Sequence, residues 1–271
     1  MHALREWPEQ DRRQVVGVFT DIDDTLTTEG AITPQALDAL ARLKLAGLPV
    51  VAITGRPLGW SVPFAQAWPV DAIVAENGSV ALVRRPEGLA RLYLQDAATR
   101  QRNFARMEQV AIRIMREVPG ALLSQDSSGR ETDIAIDHSE FTHLPQDAIA
   151  EVVHVMQSEG MSATVSSIHI NGWYGDHNKL VGARWIVQQL WGRTLDDEIG
   201  HWVYAGDSTN DQLMFQAFDN SVGVANIRRF VPELTHLPRY VTQGERGAGF
   251  AEVVQALLSV RGRVPPNAVV S

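Results

Sequence analysis

Three carboxylates fall within four residues, Asp21, Asp23 and Asp24, inside the stretch Phe19-Thr20-Asp21-Ile22-Asp23-Asp24-Thr25-Leu26-Thr27. Like charges this close repel one another, and burial adds a desolvation cost, so a positive group is expected among them. A divalent cation with oxygen ligands is the simplest candidate. Taken alone, the stretch is equally compatible with an acidic turn capping a helix, since Asp and Thr are good N-cap residues. Polar groups of a complementary kind recur further along: Thr54-Gly55-Arg56, an isolated Lys179, and Gly206-Asp207-Ser208-Thr209-Asn210-Asp211. Together they offer carboxylates, a hydroxyl, an ammonium and glycine-associated N–H groups. A metal-dependent reaction on a phosphoryl group needs that set.

The positioning elements can be read from apolar periodicity. Val15 to Phe19 is a buried strand, Thr33-Pro34 caps and opens a helix carrying Ala36, Leu37, Leu40, Leu43 and Leu45, and Pro49 to Ile53 is a second buried strand. Strand, helix, strand favours a right-handed crossover and a parallel sheet. Ser61 to Trp68 reads as a short helix, Asp71 to Ala75 as a third strand, and Ser79 to Val83 as a hairpin arm after the turn Glu76-Asn77-Gly78. The texture changes at Arg84-Arg85-Pro86-Glu87-Gly88. An amphipathic helix over Asp96 to Val118, strands near 121–124 and 132–137, a helix over 145–159 and an alternating strand over 162–171 follow. From Asn178 the first texture resumes, with helices over 179–191, 211–217 and 249–259 and strands over 201–205, 221–224 and 240–241. The tail from Arg261, with Pro265-Pro266, reads as a mobile terminus. The expected fold is α/β: a Rossmann-like, doubly wound parallel sheet built from residues 1–84 and 175–271, with an inserted α+β cap at 85–174. In such sheets the ligand crevice lies at the carboxyl ends of the strands, where these motifs sit.

Composition narrows the function classes. With 45% hydrophobic and 21% charged residues, the 271-residue chain can bury a sizeable core. A net charge of −8 argues against nucleic-acid binding, while leaving room for an anionic small molecule in a locally positive pocket. There is no Cys, which excludes disulfides, thiol catalysis and thiolate metal sites. The eight His residues lack zinc-site spacing. Met1 to Gln14 is polar with no apolar core of a signal peptide, and no run is long enough to span a bilayer. A cytoplasmic enzyme without membrane or nucleic-acid partners is expected, its oligomeric state unknown.

The segments Asp-Ile-Asp-Asp-Thr-Leu-Thr, Ile-Thr-Gly-Arg, Lys179 and Gly-Asp-Ser-Thr-Asn-Asp resemble, in order, the four motifs of the haloacid dehalogenase-like hydrolase superfamily. Glu76-Asn77-Gly78 and the long insertion between the second and third motifs resemble its type IIB, or Cof-like, group, which includes sucrose-phosphate, trehalose-phosphate and mannosyl-phosphoglycerate phosphatases. The resemblance implies Asp21 as nucleophile, giving an aspartyl-phosphate, and Asp23 as general acid and then base. It implies Mg²⁺ held by Asp21, Asp23 through its carbonyl, and Asp207, with Asp211 a ligand or an outer partner. Thr54, Gly55, Lys179 and Asn210 would contact the phosphoryl group, and Arg56 would contact phosphate or anchor its loop. Asp24 is read as structural support, and Ser208 and Thr209 as turn and cap residues.

The cap offers no motif of comparable specificity. His169, Asn171, Arg130 and Asp133 are its candidates for substrate contact, by placement alone. The stretch His169 to Asn178 joins cap to core; Trp173 and Tyr174 read better as packing at that junction than as sugar-stacking groups. The leading expectation is a Mg²⁺-dependent phosphatase acting on a sugar phosphate or glycosyl-phosphoglycerate. A phosphomutase of the same fold and, from a different class, a phospho-receiver or metal-binding module are the alternatives. Receiver domains are shorter and lack an acid at the position of Asp23.

Overall fold

The computed structural model of the protein describes residues 1–261. The expectation for the tail falls on 262–271, outside the described residues. In chain order the strands are β1 (His2–Ala3), β2 (Gly17–Thr20), β3 (Thr27–Thr28), β4 (Ala31–Ile32), β5 (Val50–Ile53), β6 (Ala72–Ala75), β7 (Val80–Arg85), β8 (Gly88–Tyr93), β9 (Leu122–Leu123), β10 (Ile134–Asp137), β11 (Ser162–Val165), β12 (His169–Trp173), β13 (Trp202–Gly206), β14 (Asn220–Gly223) and β15 (Tyr240–Val241). The helices are α1 (Glu9–Gln14), α2 (Pro34–Leu45), α3 (Leu58–Ala67), α4 (Ala97–Glu117), α5 (Gln146–Ser158), α6 (Lys179–Trp191), α7 (Gln212–Ala217) and α8 (Arg246–Leu258).

A nine-stranded sheet of order β1-β15-β14-β13-β2-β5-β6-β7-β8 forms the core, parallel except at β7 and β8. Strands β2 and β13 are neighbours, and from β2 the chain moves outward to β5 and β6 on one side. The direction of winding therefore reverses between β2 and β13, which opens a crevice at their carboxyl ends. Buried side chains alternate across the sheet. Val18, Val50 and Ala52 pack beneath α2 and α8, while Phe19, Val51 and Ile53 pack beneath α6 and α7. Fully buried strands covered on both faces read as continuous apolar runs, which is why they are legible in sequence.

The segment Gly88–Tyr93, read from sequence as the start of the cap, instead pairs antiparallel with β7 as the edge strand of the large sheet. The cluster Arg84-Arg85-Pro86-Glu87-Gly88 is a hairpin tip closed by the pair Arg85–Gly88, not an interdomain linker. Gly88 holds φ +127°, a conformation open to glycine at little steric cost. The inserted layer is a four-stranded antiparallel sheet, β11-β12-β10-β9, with α4 and α5 packed on one face. Alternation sends Ile134, Ile136 and Ile170 to those helices and Asp133 and Asn171 to the face that meets the core.

Core and cap are joined by buried polar contacts. Glu76, fully buried, accepts from the backbone N–H of Leu58 at 2.9 Å in the core and of Glu131 and Thr132 in the cap, as well as from the Thr132 hydroxyl. A carboxylate with that many donors is satisfied without a counter-ion.

Candidate active site

The loop after β2 brings its acids to the crevice. The Asp21 amide donates to the carbonyl of Ala205 at 2.8 Å, extending the sheet by one residue. The carbonyl of Ile22 then accepts from the amides of Thr25, Leu26 and Thr27, which folds the chain back sharply. Asp24 sits at the tip with φ +54°. Asp21 and Asp23 consequently face one small chamber with Thr54, Gly55, Asn171 and Asn210, whereas Asp24 turns to a neighbouring cavity.

Lys179 reaches the chamber because α6 starts beside it. Asn178 caps the helix, its Oδ1 accepting from the amides of Leu180 and Val181 at 3.0 Å each. One turn on, Gly182 lies against Gly78 so closely that a Cβ there would stand 2.5 Å from the Gly78 Cα. Two glycines thus allow helix and turn to touch. The Lys179 Nζ donates to Asp21 Oδ1 at 2.6 Å and to Asp211 Oδ1 at 2.7 Å, and it is buried.

The loop after β13 is organised by Asp211. Its Oδ2 accepts from the amides of Asp207 and Ser208 at 2.9 and 3.1 Å, and Oδ1 accepts from the Tyr204 hydroxyl as well as from Lys179. Ser208 and Asp211 form a reciprocal capping box. Asp207 is held differently. Asn226 Nδ2 donates to its Oδ2 at 3.0 Å, while Oδ1 is buried with no hydrogen-bond partner among the described residues. Asp21, Asp207 and Asp211 each present an oxygen within 4.8 Å of the others.

This donor set fits a hard divalent cation, which takes oxygen ligands and keeps several waters. An orphaned carboxylate oxygen in a dry site is costly unless a cation answers it. Burial raises the Asp21 carboxyl above its usual range, reinforced by Asp211 and Asp23 and opposed by Lys179. Burial likewise raises Asp207 well above its ordinary value, with Asp21 and Asp211 adding to the effect. Asp211 has both oxygens engaged by donors of the protein.

Residues 18–116 match the sequence model of a family described as haloacid dehalogenase-like hydrolase. The order of the four motifs and their meeting at the strand ends of one doubly wound sheet agree with that match. Over residues 18–116 the chain is similar to the haloacid dehalogenase-like hydrolases. It is also similar to a phosphoglycolate phosphatase of Methanosarcina acetivorans, 26% identical over 89% of this chain and 96% of the relative. Among solved structures, one from Thermoplasma acidophilum superposes with TM-score 0.71 at 15% identity, covering 90% of this chain and 98% of that one. A Synechocystis sucrose-phosphatase in complex with sucrose and phosphate gives TM-score 0.64 at 17% identity, with the same coverage. The inserted α+β layer lies where the sequence resemblance to the type IIB group expects a large cap.

The structure brings together Asp21, Asp23, Thr54, Gly55, Lys179, Asp207, Asn210 and Asp211. Arg56 lies with carboxylates: Nε donates to the two oxygens of Asp23 at 3.0 and 3.1 Å, and its other nitrogens reach Asp126 and Glu140 of the cap. Of the cap candidates, His169 and Asn171 line the chamber. Arg130 and Asp133 do not; they pair at 2.7 Å, and Arg130 donates to the Gly55 carbonyl while Asp133 accepts from Asn77 and Asn171. That quartet seals the seam between the layers. Trp173 Nε1 donates to the carbonyl of His177, so its indole packs the junction. Sequence reasoning missed Tyr204, Asn226, Arg229, Arg246 and Glu140. Asn226 and Arg229 follow the end of β14, so the strand-end rule could have found them. Glu140 left no signal.

Proposed function

We propose that this protein is a Mg²⁺-dependent phosphatase that cleaves small phosphate monoesters through an aspartyl-phosphate on Asp21. The observation carrying the reading is the buried Oδ1 of Asp207, unpartnered among the described residues, beside Asp21, whose other neighbour is the ammonium of Lys179. Asp21, Asp207 and the backbone carbonyl of Asp23 would hold the ion, with Asp211 fixing the loop and Lys179 behind them. When bound, Mg²⁺ supplies charge neutralisation to the incoming phosphate dianion.

The remaining chemistry belongs to the chain. An Asp21 oxygen attacks phosphorus, the bond from phosphorus to the ester oxygen breaks, and Asp23 gives that oxygen its proton. Water then attacks the aspartyl-phosphate, Asp23 takes the water's proton, and the phosphorus–Asp21 bond breaks to release inorganic phosphate and the free carboxylate. Thr54 and the Gly55 amide, which line the chamber, would hold the transferring oxygens, and Lys179 favours the ionised form of Asp21. Arg56 fixes the carboxyl of Asp23 from both oxygens.

The size limit comes from the cap. The hairpin tip Ser166-Ser167-Ile168 lines the chamber, and Thr209 donates to the Val165 carbonyl at 2.6 Å, so the cap rests on the catalytic loop. Sugar phosphates and glycosyl-phosphoglycerates are substrates of the expected class, and the phosphoglycolate phosphatase relative adds small phosphorylated acids. Phosphate release from an aryl phosphate, measured with and without Mg²⁺ for wild type and Asp21→Asn, tests the reading. Activity surviving the substitution, or indifferent to the metal, would remove it.

A further inference from the structure

The catalytic chamber is too small for a whole substrate. It offers about 10 Å³, roughly the room of one water, once the cap is down. It continues past Asp23 into a second cavity of about 390 Å³. Asp23, Arg56, Ser167 and Ile168 line both spaces. If Asp23 protonates the leaving oxygen, the leaving group departs past Asp23, into that second cavity.

Its polar donors include two arginines that the catalytic scheme leaves unused. Arg229 follows β14, and Arg246 is the first residue of α8. Both point at Asp24. Arg229 Nη2 donates to Asp24 Oδ2 at 3.0 Å. Arg246 Nε stands 3.0 Å from Asp24 Oδ1, close enough for an ion pair, yet off the N–H axis; it remains a buried donor without a hydrogen bond among the described residues. Arg229 Nη2 also stands 3.5 Å from Asp207 Oδ2; each guanidinium has five N–H groups, more than these carboxylates engage. The Arg246 amide, the first of α8, donates to Asn226 Oδ1 at 2.9 Å, which fixes the start of the helix. Arg246 also holds φ +52°, where glycine would be the inexpensive choice. Of the other acids lining the cavity, Glu140 is paired with Arg56 and His169 and Asp23 with Arg56, while Glu29 is exposed.

We propose that Arg229 and Arg246 form a carboxylate-recognising subsite for the leaving group, making phosphate esters of small hydroxy acids the preferred substrates. The proposal rests on the phosphatase reading above. A planar carboxylate matches the fork of a guanidinium in two parallel hydrogen bonds, which an alcohol of the same size cannot make.

The test compares two esters of equal size, 2-phosphoglycolate and 2-hydroxyethyl phosphate, which differ only in carboxylate against hydroxymethyl. Wild type is expected to favour phosphoglycolate in kcat/KM by ~10-fold or more, the loss of one charged hydrogen bond being a factor of that order. In Arg246→Gln, and further in Arg229→Gln/Arg246→Gln, the ratio between the esters should fall towards one, through KM for phosphoglycolate. The ratio cancels any general loss of activity, and Arg246→Lys should restore part of it. Equal rates on both esters in wild type, or an unchanged ratio in the variants, overturns the subsite and leaves the phosphatase standing. No hydrolysis of either ester or of an aryl phosphate overturns both.

Discussion

Asn226 holds one oxygen of Asp207 at 3.0 Å, and the other oxygen is buried without a partner among the described residues. In the absence of metal this is a liability, because a buried carboxylate with an unanswered lone pair costs free energy. Asp207→Asn should therefore stabilise the metal-free protein by at least ~1 kcal/mol while abolishing Mg²⁺-dependent activity. Urea unfolding in EDTA, set beside phosphate release in Mg²⁺, measures both. A variant that is inactive and also less stable in EDTA would argue that Asp207 is structural.

Asp211 makes the opposite case. Its carboxylate accepts from two amides, the Tyr204 hydroxyl and Lys179. Asp211→Ala would leave Lys179 with only Asp21 as its charged partner and two buried amides without their acceptor. A loss of about 3–5 kcal/mol in unfolding free energy is expected, the usual result of breaking a buried pair from one side. A loss under 1 kcal/mol would show that water readily replaces it.

Arg56 fixes Asp23 by both oxygens and reaches the cap through Asp126 and Glu140. Burial works against the guanidinium, but Asp23 and Glu140 raise its pKa, so it is charged throughout the working range. Arg56→Lys keeps the charge and loses the fork. We expect kcat to fall ~10- to 100-fold, with a smaller change in KM, because the acid loses its fixed orientation. Steady-state kinetics on an aryl phosphate would show it; an unaltered kcat would mean that Arg56 serves the cap alone.

The contact between Gly182 and Gly78 sets where Lys179 can be. A methyl group at 182 would stand 2.9 Å from the Gly78 carbonyl oxygen as well as 2.5 Å from its Cα. Neither atom is the end of a flexible side chain, so α6 itself must shift. Gly182→Ala should cost ~1–3 kcal/mol and lower kcat together, since the shift carries Lys179 away from Asp21. Thermal unfolding and kinetics on the same sample decide this; full activity with full stability would refute the close-packing argument.

His177 predicts a pH dependence of stability. It is buried, both ring nitrogens lack partners among the described residues, and it stacks on Trp173 with ring centroids 5.2 Å apart. Burial pushes its pKa down from 6.5 to about 4, against a smaller opposing pull from Asp176. The unfolded chain therefore takes up this proton below its ordinary pKa, while the folded protein takes it only near the lowered one. Stability falls as pH drops through that interval, by roughly 3 kcal/mol in all, and this contribution levels off below it. His177→Phe should remove that share. Urea midpoints at neutral and acid pH, compared between wild type and variant, measure it; parallel pH slopes would count against His177 as the source.

Strand ends were legible because they combine two signals. Buried strands such as Val15 to Phe19 and Pro49 to Ile53 are continuous apolar runs, and each stops at a polar group whose chemistry has no packing explanation. Fold class, motif order and the set Asp21, Asp23, Thr54, Lys179 and Asp207 follow from residue types and spacing. The cap did not yield in this way. Its edge was read one hairpin early, because Arg84 to Gly88 looks like a linker and only strand pairing reveals a turn.

What the three-dimensional arrangement decided is how each polar group is satisfied. Sequence placed three carboxylates in four residues and required a positive neighbour. It could not say that Asp23 belongs to Arg56, that Asp24 belongs to Arg229 and Arg246, or that Asp211 is fully engaged while Asp207 keeps a free oxygen. Those partners lie far apart along the chain and approach only where the sheet reverses its winding and the cap comes down. Charge tells that a partner must exist. Only packing, through distance and the exclusion of water, selects which one it is.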